Sequence, residues 1–300
     1  MGAIKQLYLL IAAAAIIFST MEVALKLVGS SLDPLQITFL RFFIGAIILL
    51  PFAIHEYRSK PKGFMTKKLW LSMLLLGAIN GPFCMVLFQM GVDNSNASTA
   101  AVVFCSNPVF TMIVAHIMTE DEKANRRKVF ALMLGLVGLF FMIRPWDIQA
   151  GNTMAGVLFS LAAAASFGLY SVVGGKTIKR VGAFTQTASS FFFGSIILLL
   201  IMLPLGRPVL TGVADNIGLV LYVSAVVTGC GYLLYFMAMK RSNATTASII
   251  FFLKPVIAPV FAVILLQEAI TFNMYIGIAL IVAASYILIF RSAKPNAAAS

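Results

Sequence analysis

Residues 88–121, FQMGVDNSNASTAAVVFCSNPVFTMIVAHIMTED, align without a gap on residues 235–268, YFMAMKRSNATTASIIFFLKPVIAPVFAVILLQE, at an offset of 147 with 11 identities in 34 positions. The identities include Ser95-Asn96-Ala97 on Ser242-Asn243-Ala244, Thr99-Ala100 on Thr246-Ala247, and Pro108-Val109 on Pro255-Val256. Earlier in each half, the run from Phe42 to Leu50 matches the run from Phe191 to Leu199 at an offset of 149. The chain is therefore a duplicated unit.

Outward from these stretches, apolar runs of about twenty residues recur along the chain, each long enough to cross a hydrocarbon layer of roughly 30 Å as a helix. They predict ten spans, near 6–28, 35–54, 68–89, 97–118, 128–144, 153–175, 184–204, 216–239, 246–266 and 271–290. Five fall in each copy, 1–147 and 148–291, and the small polar tail 292–300 is expected to be disordered. Because five is odd, the second copy enters the membrane from the opposite side. The expected fold is an all-α polytopic membrane protein, with ten transmembrane helices as two inverted five-helix repeats. Such repeats give a carrier two nearly equivalent arrangements, one open to each side, with the substrate site near the midplane.

Composition agrees with lipid as the solvent. Of the residues, 61% are hydrophobic and 11% charged, against roughly 45–50% and 25% in soluble domains. The longest polar connections, around Glu56–Lys68 and Glu120–Lys128, leave no room for a soluble domain. The formal net charge is +12, and its placement argues against a nucleic-acid partner. With the amino terminus set inside, 17 Lys and Arg fall in inside segments and 2, Arg144 and Arg207, outside. Lys26, Arg41 and Lys254 lie within spans. The positive-inside rule then places both termini in the cytoplasm, in a plasma membrane. The first apolar run is too long for a signal peptide, and its removal would spoil the repeat. Cys84, Cys105 and Cys230 all fall in spans without metal spacing and read as packing residues.

The residues resemble the drug/metabolite transporter superfamily, specifically its ten-helix EamA-like carriers. The resemblance rests on Phe18-Ser19-Thr20, Leu40-Arg41-Phe42, Asn107-Pro108-Val109, Leu253-Lys254-Pro255-Val256 and Gln267-Glu268. It implies a central cavity lined by the third, fourth, eighth and ninth helices with the first and sixth, and transport, often outward, of amino acids, other metabolites or drugs. In the first half, Glu120-Asp121-Glu122 stands where the family has a Gly-Glu pair, so its equivalence with Glu268 is approximate. Asn80, Gln89, Tyr170, Tyr232 and Tyr235 put polar tips on the helices that the resemblance assigns to the cavity, although hydrogen bonding between helices is the commoner role for each.

An ionisable group within a span costs about 2.5–3.5 kcal/mol on insertion scales and invites a functional explanation. At about 1.5 Å rise per residue, Glu22 lies roughly 22 Å from the inner end of its span and Arg41 about 10 Å below the outer face. They reach a similar level on consecutive antiparallel spans, so an ion pair is expected. It serves either as a structural bridge or as a coupling site at which Glu22 exchanges a proton. Lys26, near a helix end, snorkels to the headgroups. Lys254 lies about 12 Å from the inner end of the ninth span. It binds a substrate carboxylate or phosphate, exchanges a proton, or pairs with Glu22 or with carbonyls freed by proline. Asn107 occupies its equivalent in the first repeat. Pro82, Pro108, Pro255 and Pro259 interrupt spans and free backbone carbonyls; such breaks either line binding sites or merely kink helices.

Several signals carry less. Gly174-Gly175-Lys176-Thr177 imitates a phosphate loop without its first glycine or a preceding strand. Gly77 and Gly81 read as a close-packing pair, and His55 and His116 lack metal-site neighbours. No catalytic constellation, metal site or cofactor motif is visible, so no enzymatic activity is expected. The functional expectation is a secondary transporter, an exporter, of small polar metabolites such as amino acids or organic acids. Its partners are the bilayer and a small-molecule substrate, acting as monomer or homodimer. An efflux carrier for lipophilic cations is the alternative, and an intramembrane enzyme or a passive channel or scaffold the alternatives of another class.

Overall fold

The computed structural model describes residues 2–28, 31–61, 63–94, 100, 103–120, 122–143, 153–266 and 272–290. Among these there is no strand, and ten helices follow one another. Helix α1 runs over Gly2–Ser19 and resumes as Met21–Val28; α2 is Pro34–Arg58. Helix α3 comprises Lys67–Ala78, a π-helical stretch Ile79–Met85, and Val86–Asp93. Next come α4 (Asn107–Met118), α5 (Arg126–Ile143), α6 (Met154–Val181) and α7 (Ala183–Met202). Helix α8 joins Ile217–Leu221, a second π stretch Tyr222–Cys230, and Gly231–Arg241; α9 is Ala244–Ala247 with Ile249–Leu266, and α10 is Phe272–Phe290. Five helical runs, those of α2, α3, α6, α7 and α8, are long and apolar enough to cross a membrane. Helix α6 extends beyond its expected end at 175 to Val181, so Lys176, Lys179 and Arg180 occupy its last turns and Gly174-Gly175 lie inside it. The tail 292–300 lies outside the described residues.

Packing obeys a pseudo-twofold axis that exchanges the halves. Helices α2 and α7 pack on each other, as do α5 and α10, so each lies against its own counterpart. The contacts α1–α8 and α1–α9 are repeated as α6–α3 and α6–α4, and α2–α8 as α7–α3. Atomic contacts repeat as well. A Cβ on Gly194 would lie 2.7 Å from the Gly77 carbonyl oxygen, and one on its counterpart Gly45 would lie 3.3 Å from that of Ser224. These glycines let backbones meet where lipid supplies no hydrophobic drive for association. The Phe18–Phe251 ring pair at 5.5 Å has its mate in Phe167–Phe104 at 5.6 Å.

The two repeats are inverted, as the helix ends demonstrate. Glu56, in the last turn of α2, accepts hydrogen bonds from the Thr185 backbone N–H (2.8 Å) and hydroxyl (3.0 Å) in the first turn of α7. Arg127, at the start of α5, donates to the Ile287 carbonyl near the end of α10. Counterpart helices thus run antiparallel. Gly182 makes the sharp link between α6 and α7 with φ +97°, a conformation that requires glycine, and the Glu56 carboxyl group packs against it. At the opposite end, Asp33 caps α2 in a capping box with Gln36 and pairs with Arg207 at 3.1 Å.

The helix breaks do not follow the prolines. Pro82 lies in the π stretch of α3, but the matching π stretch in α8 contains no proline. Helix α9 breaks at Ser248, whereas Pro255 and Pro259 lie inside its continuous segment Ile249–Leu266. Pro108 sits in the first turn of α4, where its missing N–H leaves nothing unsatisfied. The π stretches overlap at counterpart positions, and each contains a glycine, Gly81 in α3 and Gly229 in α8, rather than a shared proline.

Candidate functional site

An aromatic cluster occupies the centre of the bundle. Its members come from both repeats: Phe18 (α1), Phe42 (α2), Phe104 (just before α4), Phe167 and Tyr170 (α6), Phe191 (α7), Tyr232 and Tyr235 (α8), and Phe251 (α9). Phe42 and Phe191, counterparts of one another, meet at 4.9 Å, and Tyr232 lies 5.0 Å from Phe191 and 5.4 Å edge-on to Phe18. The cluster is built this way because α1, α2, α6 and α8 each present rings on the face that points inward.

Polar groups are embedded in it. Arg41 is 5% exposed. Its guanidinium lies 3.3 Å from Met21 Sδ, 2.8 Å from Met85 Sδ and 5.1 Å from the centre of the Phe42 ring. Tyr232, Cys84 and Asn80 stand close by. Asn80 Oδ1 itself is buried without a hydrogen-bond partner. Lys254 is buried as deeply, and its backbone oxygen accepts from Ser19 Oγ at 3.5 Å. Its counterpart Asn107 donates to the Phe104 carbonyl at 3.1 Å, while Asn107 Oδ1 is unpartnered. Tyr235 donates to Ser171 Oγ at 2.7 Å, and the Tyr170 hydroxyl meets Ser190 Oγ at 3.4 Å. Gln89 is half-buried on α3. The side chains of Glu22 and Pro259 lie outside the described part, so the expected Glu22–Arg41 pair does too.

The structure thus brings Arg41, Asn80 and Tyr232 together, sets Tyr170 beside them by a ring contact of 6.4 Å with Tyr232, and joins Tyr235 to them through Phe167, 6.0 Å from Tyr235 and 6.2 Å from Tyr232. It adds residues that the sequence reading passed over. Thr228 and Ser106 are buried with unpartnered hydroxyls, and Gln186 is buried with both amide atoms unpartnered. Ser224, Thr228, Tyr232 and Tyr235 form one buried stripe along α8, a spacing of three to four residues that the sequence does contain.

At the end rich in Lys and Arg, a cavity of about 350 Å³ opens between α4, α6, α8 and the start of α9, lined by Glu120, Glu122, Lys176, Lys179 and Asn243 among others. Glu122, buried there, accepts from the Ala244 and Thr245 backbone N–H groups at 3.2 and 3.1 Å and from the Thr245 hydroxyl at 3.2 Å. Glu122 therefore fastens the first repeat to the start of α9. Among the described residues, no three of His, Cys, Asp and Glu gather to hold a metal.

The profile of the EamA-like transporter family matches this chain twice, over residues 5–144 and 154–290. The chain belongs to the EamA-like transporter family. It is an integral membrane transporter, and each match covers one repeat. A transporter of Clostridium kluyveri, uncharacterised, is 34% identical over 299 residues, covering 97% of this chain and 96% of its own. An S-adenosylmethionine uptake transporter of Rickettsia prowazekii is 24% identical over 276 residues, 91% of this chain and 88% of its own. A solved crystal structure at 18% identity superimposes with a TM-score of 0.75, covering 94% of this chain and 96% of that one, so the fold of this EamA-like transporter is shared across distant sequences.

Proposed function

We propose that this transporter is a secondary active exporter of small polar metabolites carrying an anionic group, such as amino acids or organic acids. It works by alternating access about the pseudo-twofold axis, in the plasma membrane with both termini cytoplasmic. The observation that supports this most is the burial of two cations, one from each repeat, Arg41 at the aromatic core and Lys254 on α9, together with buried unpartnered acceptors on Asn80 and Asn107. Buried cations in lipid mark substrate or ion pathways. The aromatic rings supply low-dielectric walls that strengthen such charges toward a carboxylate. The Rickettsia relative is named for uptake of S-adenosylmethionine, whose amino-acid end carries a carboxylate that fits this arrangement and whose sulfonium cation fits the second reading below.

The aromatic cluster also favours a second reading, efflux of lipophilic cations held against ring faces. One experiment separates the two and sets direction. Purified protein in liposomes is given radiolabelled amino acids, organic acids and a lipophilic cation, from either side, with and without a pH gradient. Anionic or zwitterionic metabolites are expected to move, and Arg41→Met or Lys254→Met to cut that movement about 10-fold or more, the loss of roughly one charge-assisted contact. Movement of the lipophilic cation alone, or full transport by both variants, refutes the anion reading.

A further inference from the structure

At the 149-residue offset, Met21 falls on Tyr170 and Arg41 on Ser190. Both pairs are in contact: Arg41 Nη1 lies 3.3 Å from Met21 Sδ, and the Tyr170 hydroxyl 3.4 Å from Ser190 Oγ. One locus therefore occurs twice, once on each side of the pseudo-twofold axis. In the first repeat it holds a guanidinium; in the second its groups are neutral.

The neutral locus has a further member. Gln186, one turn before Ser190 on α7, is wholly buried, and neither its Nε2 nor its Oε1 has a hydrogen-bond partner. It lies close to the Tyr170 hydroxyl without a hydrogen bond of good geometry between them, and its amide nitrogen comes near Gly174 of α6, beside the Phe236 ring. An amide stripped of water with both ends unpaired is rare in a settled core, and such groups ask for an unseen water or ligand. The neighbouring Gly175 lines the cavity at the Lys- and Arg-rich end, and Tyr170 reaches back by ring contact to Tyr232 beside Arg41.

We propose that Tyr170, Gln186 and Ser190 form a second, neutral half-site of the transport pathway. It takes an uncharged group that both donates and accepts hydrogen bonds, a carboxamide above all, while the Arg41 locus takes the carboxylate. The transported molecule then has an anion at one end and a neutral polar group at the other. This rests on the anion reading given above and narrows it. An amide meeting an amide satisfies donor and acceptor together, and a site built that way rejects an apolar isostere because its own polar groups stay unpaired.

The test uses L-glutamine, L-glutamate and L-norleucine, which share a head group and differ at the far end, with protein in liposomes and melting followed in detergent. Wild type is expected to carry glutamine over norleucine by about tenfold or more, and Gln186→Leu to bring that ratio near one while melting higher than wild type without ligand. Gln186→Asn, which keeps a shorter amide, should retain part of the preference and serves if the leucine variant does not fold. A leucine variant that melts lower marks the amide as structural and overturns the half-site. A glutamine preference unchanged by Gln186→Leu also overturns it, leaving a water site only. A wild type that moves none of the three probes overturns the amino-acid reading itself, and this proposal with it.

Discussion

Arg41 and Lys254 are legible in the sequence because a charge within an apolar run stands out without any knowledge of the fold. What surrounds them is not. The thioethers of Met21 and Met85 and the face of Phe42 hold the Arg41 guanidinium, and no spacing rule announces three such residues from α1, α2 and α3. Because an ammonium cannot reproduce the planar fork against sulfur and ring, Arg41→Lys should keep the charge yet lose much of the transport, by severalfold in initial rate. A lysine variant with wild-type rate would mean that charge alone matters. Glu122 was read only as a departure from a family pattern, yet it satisfies two backbone N–H groups and a hydroxyl at the start of α9. Glu122→Ala leaves these groups buried and unpaired, at about 1–3 kcal/mol. A lowered melting temperature in detergent checks it, and Glu122→Gln should fall between. Gln186 was missed because a polar residue in the first turn of a span resembles an interfacial one; its burial depends on α6 lying against it.

At the level of helices, the small-residue reading of Gly77 holds and can be sharpened. A Cβ there would approach the Ser190 carbonyl oxygen to 2.6 Å and the Gly194 nitrogen to 2.7 Å. Both are backbone atoms of α7 and cannot swing aside. Gly77→Ala should therefore destabilise by about 1–3 kcal/mol, the usual cost of overpacking. Gly218→Ala, at a site with nothing within 4 Å, should be neutral or stabilising, since alanine is the better helix former by about 1 kcal/mol. Melting curves of the two variants measured side by side decide it; equal losses would mean that close approach of α3 to α7 is not what the glycine serves. The breaks in α8 and α9 were not legible in the same way. Proline is a local signal, but the π stretch of α8 contains Gly229 and no proline, and the interruption of α9 falls at Ser248 rather than at Pro255 or Pro259.

Over the whole molecule, inversion of the repeats yields a labelling pattern. Cysteines introduced at Ser59 and Thr119 should react with a membrane-impermeant maleimide only from the cytoplasmic side, and cysteines at Asn94 and Asp215 only from outside, in a background with the three native cysteines replaced. Reaction of Ser59→Cys and Asp215→Cys from one side would break the assignment. The duplication, the ten spans, the opposed insertion of the halves and the bias of positive charge were all set by the sequence alone. Each depends on hydropathy and charge along a single segment, and lipid reads those one helix at a time. The meeting of Arg41 with Tyr232 and Asn80, the twin loci of which only one is charged, and the fastening of α9 by Glu122 were decided by tertiary structure. Encounters of that kind depend on how far each helix is rotated about its axis and how closely its neighbours approach, and those quantities are fixed jointly by all the helices that pack together.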